Sequence, residues 1–285
     1  MQKIVPFLWF DDNLEEAVHF YTSIFKNASI TDVRRMGGKV FTATFQIGGR
    51  EFYALNGGPL FTFTPAISFF VNCETQQDID ELWKNLSDGG MVFMPLNKYP
   101  FSEKFGWVQD KFGVSWQLNL TGTQQKVSPF LLFVKDQHGK AEEAIKFYMS
   151  LFKNSEILKM ERFGPGETGA EGTIKHAVFS LEGQEFMAMD SNMDHNFTFS
   201  LATSFFVNCN TQEEVDYFWE QFLVGGEESK CGWLKDKYGV SWQIIPTTLG
   251  KLLGDPDPVK SQKVMQAMLK MSKIIVKDLE QAYNQ

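Results

Sequence analysis

The sequence predicts an α+β protein of two tandem units, each built from two paired βαβββ modules, followed by a helical tail. Three observations carry this. First, blocks repeat in one order. "PFLWF" from Pro6 returns as "PFLLF" from Pro129, "FYTSIFKNASI" from Phe20 as "FYMSLFKNSEI" from Phe147, and "SFFVNCETQQDIDELW" from Ser68 as "SFFVNCNTQEEVDYFW" from Ser204. "DKFGVSWQL" from Asp110 returns as "DKYGVSWQI" from Asp236. Self-similarity at this scale marks a duplicated structural unit, and length varies between the matching blocks, as loops do. Second, apolar runs suited to strands alternate with stripes at helical spacing. Third, the pattern stops after Pro246. The expected divisions are 1–125, 126–248 and a tail, 249–285.

Each element has its own signal. "IVPFLWF" is an unbroken apolar run, as a buried strand requires. Asp12 or Asn13 can cap the helix that follows, where Leu14, Ala17, Val18, Tyr21 and Phe25 share one face. The second copy repeats the stripe with Ala141, Ala144, Ile145, Tyr148 and Phe152. Glycine and charge then punctuate strands near 28–36, 39–47 and 51–56. "AISFFVNC" opens the second module as another buried strand. Thr75 with Asp78, and Thr211 with Glu214, read as capping boxes. They precede the stripes Ile79, Leu82, Trp83, Leu86 and Val215, Phe218, Trp219, Phe222. "FGWVQD" and "VSWQLN" make a closing hairpin that turns at "KFG". In the tail, "GDPDP" breaks the chain, and Val259 to Tyr283 reads as one or two amphipathic helices packed on the second unit.

Composition bounds the function. The net charge of −8 disfavours a general nucleic-acid binder, which needs a basic face against phosphates. No apolar run approaches the eighteen or so residues that span a bilayer, and the N-terminus has no long apolar leader core, so a cytoplasmic protein with no membrane partner is expected. Three cysteines without Cys-x-x-Cys spacing indicate neither a disulfide framework nor a thiolate zinc site. The 28 phenylalanines point to aromatic-rich cores or pockets.

Paired βαβββ modules with "FY…F" on the first helix and "D-x-F/Y-G-x-x-W-Q" at the last hairpin resemble the vicinal oxygen chelate superfamily, which includes glyoxalase I and bleomycin-resistance proteins. "CGWLKDKYGVSWQIIP" (231–246), "DPDP" and "AMLKMSKI" (267–274) resemble its PhnB-like branch. The resemblance implies glyoxalase-like units in which two modules bring their sheets together around an open cavity. It also implies, in metal-using relatives, a divalent ion held by His, Glu or Gln from the first and last strands. Carried over residue by residue, the first-strand place falls at Pro6 and Pro129. The fifth-strand place falls at Ile67 or Ser68 and at Thr203 or Ser204, and the last-strand place at Gln117 and Gln243. Proline has no side-chain donor, and a catalytic divalent ion wants three or four. No metal and no cofactor are therefore expected. Gln117 and Gln243 either hydrogen-bond a ligand or satisfy neighbouring backbone. PhnB-like proteins often carry a demethylubiquinone methyltransferase label, yet no Gly-x-Gly-x-Gly turn for a methyl donor occurs here. The expectation is a metal-free small-molecule binder, each chain its own pseudo-dimer or a homodimer. The alternative is a metal-dependent isomerase, lyase or dioxygenase with ligands from other positions.

The remaining candidates are scattered. Trp107 and Trp233 are expected at a cavity mouth, and Trp116 and Trp242, alternating with the glutamines, against the helices. Asp190 and His195 form an acid–base pair, orient a polar ligand, or belong to a solvated loop. Cys231, whose counterpart is Phe105, is a packed thiol or a nucleophile lacking a nearby base. His19 and His138 fall in solvated places, and His176 lies in a strand facing either cavity or solvent. The extra residues of Met91–Phe105 are a lid or an interface cover.

Overall fold

The computed structural model describes residues 2–285 and separates into two compact units, Pro6–Thr203 and Met1–Val5 with Ser204–Gln285. The larger unit holds all of β1 (Ile4–Phe10) but its first two residues, then α1 (Leu14–Ile24), β2 (Ser29–Met36), β3 (Lys39–Ile47) and β4 (Arg50–Asn56). It continues with β5 (Ile67–Cys73), α2 (Gln76–Ser87), β6 (Met91–Tyr99), β7 (Ser102–Gln109) and β8 (Ser115–Leu120). A third module follows: β9 (Lys126–Phe133), α3 (Ala141–Leu151), β10 (Glu156–Arg162), β11 (Ile174–Leu181) and β12 (Gln184–Asp190). The smaller unit holds β13 (Thr203–Cys209), α4 (Gln212–Phe222), β14 (Glu227–Glu228), β15 (Trp233–Lys235) and β16 (Ser241–Pro246). Its tail is helical: α5 (Thr247–Leu253), α6 (Pro258–Met268) and α7 (Val276–Asn284). Between Val259 and Tyr283 the tail thus forms two helices, as expected, with α5 before them; Asp257 caps α6 through the Val259 amide and Pro258 lies in its first turn.

In the larger unit, eight strands form one mixed sheet in the order β10-β11-β12-β9-β5-β8-β7-β6. Its central contact is antiparallel, Ser68 opposite Phe130 and Phe70 opposite Ser128. The module of residues 67–120 therefore joins that of 126–190, across the boundary between the sequence repeats. Within the first repeat the two modules come together as expected, through one shared buried core rather than through this strand contact. Strands β1-β4-β3-β2 of the same unit are also hydrogen-bonded in that order. In the smaller unit the order is β14-β15-β16-β13, and the Asn208 amides donate to the carbonyls of Lys3 and Gln2 at 2.9 and 2.8 Å.

The helices cover one face of the strands. Tyr21 and Leu14 of α1, Ile79 and Leu82 of α2, and Phe69, Trp116 and Leu118 of the strands belong to one buried core. Thr75 and Asp78 close the expected capping box, and Thr211 accepts the Glu214 amide. Helix α1 is capped differently. Asn13 makes no side-chain cap; instead Asn56, from β4, accepts the Leu14 amide at 3.0 Å.

The duplicated Asp-x-x-Gly hairpin is a carboxylate pin. Oδ1 of Asp110 accepts the amides of Phe112 and Val114 at 2.9 and 3.0 Å, closing a turn in which Gly113 adopts φ +91°. Oδ2 accepts Trp116 Nε1 and the Tyr21 hydroxyl, both at 2.8 Å. Asp236 repeats the scheme with Tyr238, Val240 and Trp242 at 2.9, 3.0 and 2.8 Å. The pin draws Trp116 into the core (0% exposed), so the next residue, Gln117, must face the other way. Burial pushes the Asp110 carboxyl up to about 6, against the hold of Trp116, Tyr21 and the two amides.

Asp110→Asn turns an NH2 group toward one pair of donors and leaves buried groups unpaired. We expect a loss of about 3 kcal/mol in urea unfolding. The raised carboxyl has a signed pH consequence. The folded state binds the extra proton between the usual 3.8 and about 6, so its contribution is complete below the lower value and lost as pH rises through the upper. The stability gap between wild type and Asp110→Asn should therefore be wider at pH 4 than at pH 7, by about 3 kcal/mol; a gap unchanged over that range would refute the assignment.

Candidate functional site

The face of the eight-stranded sheet turned away from the helices carries one continuous row of side chains, fixed by register. Glu156 lies opposite Ser180, and Ser180 opposite Glu185. Ser128 Oγ donates to Glu185 Oε1 at 3.0 Å. Ser128 then faces Phe70, Phe70 faces Gln117, Gln117 faces Trp107, and Trp107 faces Met94. A second row beside it runs Val178, Met187, Phe130, Ser68. Residues directly opposite share a face because side chains alternate along each strand.

The row has a polar end and an aromatic middle. At the polar end an open groove of about 460 Å³ is lined by Lys126, Asn154, Ser155, Glu156, Leu158, Ser180, Gly183 and Glu185. Lys126 Nζ pairs with Glu185 at 2.7 Å there. In the middle the rings form a ladder. Phe101, at the tip of the β6–β7 hairpin, lies 5.2 Å from Phe105, which lies 6.3 Å from Phe70. Phe70 stacks on Phe130 at 6.4 Å, and Phe130 lies 6.2 Å from His176. His176 thus faces the row rather than solvent. Burial pushes its pKa down, with Lys159 adding to the effect, which keeps the imidazole neutral at pH 7.

The sequence candidates come together in matched pairs. Gln117 Nε2 donates to Ser68 Oγ at 2.8 Å, and Gln243 Nε2 to Ser204 Oγ at 3.0 Å. Trp107 and Trp233 stand opposite Gln117 and Gln243. Trp107 donates its Nε1 to Ser115 Oγ at 2.9 Å, so it is an anchored wall and not a loose rim. Ser68 and Gln117 are both buried. The hydrogen bond leaves the amide oxygen of Gln117 and the hydroxyl proton of Ser68 for another partner: one acceptor beside one donor.

The first-strand places behave differently from expectation. Pro129 lies opposite Phe69, a core residue, so it faces the helices. Pro6 has the parity of Leu8 and Phe10, which are also in that core. The residues of β9 that reach the row are Ser128 and Phe130. A shift of one residue exchanges the faces of a strand, which explains the error. Phe130 has no donor atom either. Each face thus offers one amide and one hydroxyl from these places, and among the described residues no three His, Cys, Asp or Glu side chains gather to hold an ion. This donor set does not fit a divalent metal.

Asp190 and His195 do not pair. Asp190 Oδ1 accepts the amides of Gly139 and Ala141 at 2.8 and 3.2 Å, and Oδ2 that of Ile174 at 2.9 Å. Asn56 does the same work in the first repeat, accepting from Leu14 and donating to the Val40 carbonyl. An amide serving in the equivalent place identifies Asp190 as a structural cap. His195 Nε2 pairs with Ser191 Oγ at 2.8 Å in the loop after β12; Ser191 is buried in the turn it closes. Cys231 is half-buried, with its thiol pushed up by burial, and its amide donates to Met271. It is packed and not activated. His176 is the strand histidine that the sequence left facing either cavity or solvent; for Phe70, Phe130, Lys126 and Glu185 the signal in the sequence is only the alternation of β5, β9 and β12.

The comparisons follow this geometry. The model of the family 3-demethylubiquinone-9 3-methyltransferase matches twice, over residues 2–119 and 125–245. The chain belongs to this family. Family membership names the PhnB-like lineage and the duplication. The methyltransferase wording is the family's label. A solved PhnB protein from Bacillus cereus is 46% identical over 42% of this chain and 100% of its own, with a TM-score of 0.41. A protein from Staphylococcus aureus is 36% identical over 42% of this chain and 97% of its own, with a TM-score of 0.19. Glyoxalase I from Zea mays is 12% identical over 84% of this chain and 92% of its own, with a TM-score of 0.54. That last likeness shows the vicinal oxygen chelate fold alone. No curated protein matches the chain. Among the described residues no helix is long and apolar enough to cross a membrane.

Asp190→Asn should lower stability by about 1–3 kcal/mol, since one buried amide donor loses its acceptor. Binding by the folded fraction should stay unchanged. A large fall in affinity without a fall in melting temperature would restore Asp190 to the site.

Proposed function

We propose that the chain binds a neutral, flat, partly aromatic small molecule on the Gln117 face of its eight-stranded sheet, without a metal ion. The observation that carries this reading is the join of a ring ladder to a buried Gln–Ser pair. Phe105, Phe70, Phe130 and His176 present π faces, which favour planar partners. Gln117 and Ser68 present an acceptor beside a donor, complementary to an amide or amino-heterocycle edge. The groove at Lys126, Ser180 and Glu185 is the entrance, and its ion pair suits a polar substituent left near water. With His176 neutral, and with Glu156 and Glu185 at the groove end where Glu185 is paired with Lys126, nothing beside Gln117 and Ser68 recommends an ionised ligand. The poor donor set supports metal-free binding.

Fluorescence titration with N-phenyl-1-naphthylamine, a neutral planar probe with one N–H donor, tests this. Gln117→Leu and Ser68→Ala should each weaken binding about 5- to 10-fold, the value of one hydrogen bond. Dialysis against a chelator should leave affinity unchanged. A stoichiometric divalent ion in the undialysed protein, with binding lost on its removal, would replace this reading by a metal-dependent one.

A further inference from the structure

The smaller unit carries the same frame with a different surface. Phe206 and Trp233 flank Gln243, as Phe70 and Trp107 flank Gln117. Three changes separate the copies: Phe105 is matched by Cys231, Asn119 by Ile245, and the nine-residue β6 by the two-residue β14. The ring ladder is therefore interrupted, and the edge of the sheet beside Cys231 lacks its neighbouring strand.

The chain's own tail occupies that space. Cys231 and Gly232 donate their amides to the carbonyls of Met271 and Ser272 at 2.8 and 2.7 Å, along the edge where Asn97 of β6 faces Phe105 in the other copy. Ile274 is fully buried and joins Ile245 and Phe206 in one apolar cluster. The approach is tight: a Cβ at Gly232 would meet Ile245 Cδ1 at 2.5 Å and Ile274 Cγ1 at 3.2 Å. Gln212 holds the segment from the start of α4, donating to the Ile274 carbonyl at 3.2 Å and accepting the Val276 amide at 2.8 Å. Two consecutive amides of the turn before β15, with φ +58° at Cys231 and +82° at Gly232, thus hold the segment's carbonyls while Ile274 seats on the apolar face.

We infer that Met271–Ile274 is a resident occupant of the Gln243 face, standing where a small molecule would lie. The chain then takes one ligand, on the Gln117 face, and gains a second site only when the tail lifts. This rests on the reading of the Gln117 face given above, and the experiment separates the two.

Two full-length variants release the tail by different means: Ile274→Asp puts a charge into the buried cluster, and the milder Gln212→Ala removes two hydrogen bonds. Release is read without any ligand as the rate of Cys231 alkylation, since Cys73 and Cys209 are buried. It should rise at least about tenfold in Ile274→Asp, in line with opening of a protected segment, and less in Gln212→Ala, with far-UV circular dichroism preserved. Titration with N-phenyl-1-naphthylamine should find one equivalent in wild type and two in the released chain, the second weakened about 5- to 10-fold by adding Gln243→Leu. A released chain that gains no equivalent overturns the inference, and so does an unchanged alkylation rate in both variants. A wild type that binds no probe, while the released chain binds one dependent on Gln243, overturns the Gln117 reading and leaves the tail's role standing.

Discussion

A buried carboxylate sets the geometry on which everything else depends. Asp110 holds two turn amides, an indole and a phenol at once, so the β7–β8 turn, α1 and Trp116 are fixed relative to one another. Sheet faces alternate residue by residue. Fixing Trp116 in the core therefore fixes Gln117 on the opposite face, beside Ser68 and Phe70. A carboxylate buried in this way is costly unless its donors are complete, and Asp236 carries the turn and indole contacts again in the second copy. The site's polar pair is a consequence of a structural pin one residue away.

Duplication preserved this pin and let the surfaces drift. Both copies keep Gln, Ser, Trp and Phe at matching places on one face. Around them, one copy carries a long hairpin whose rings extend the ladder, and the other has a two-residue strand there with the tail beside it. Neutral side chains dominate both faces. The fold is shared with maize glyoxalase I, whereas chemistry follows from the side chains placed on it.

The correction at Pro129 shows how little separates a right from a wrong reading of a strand. The metal-ligand place implied by the resemblance falls at a proline that faces the helices, while its neighbours Ser128 and Phe130 face the row. The donor-poor conclusion holds for Phe130 as well, but for a different residue. Asp190 and His195 are close in sequence, which leaves an acid–base pair, a ligand-orienting role and a solvated loop all open; in the fold three backbone amides claim Asp190. The amide at Asn56 in the first repeat was the available clue.

By itself the sequence determined the duplication, the order of helices and strands up to Pro246 and the Thr75–Asp78 capping box, because each is written in neighbouring residues through period, cap or repeat. Only the tertiary structure decided that β5 pairs with β9 across the repeat boundary, that His176 and Phe130 join the row, and that the tail lies on the Gln243 face. Those outcomes depend on which strand edges and apolar faces meet, and edges of equal hydrogen-bonding capacity look alike along the chain until packing chooses between them.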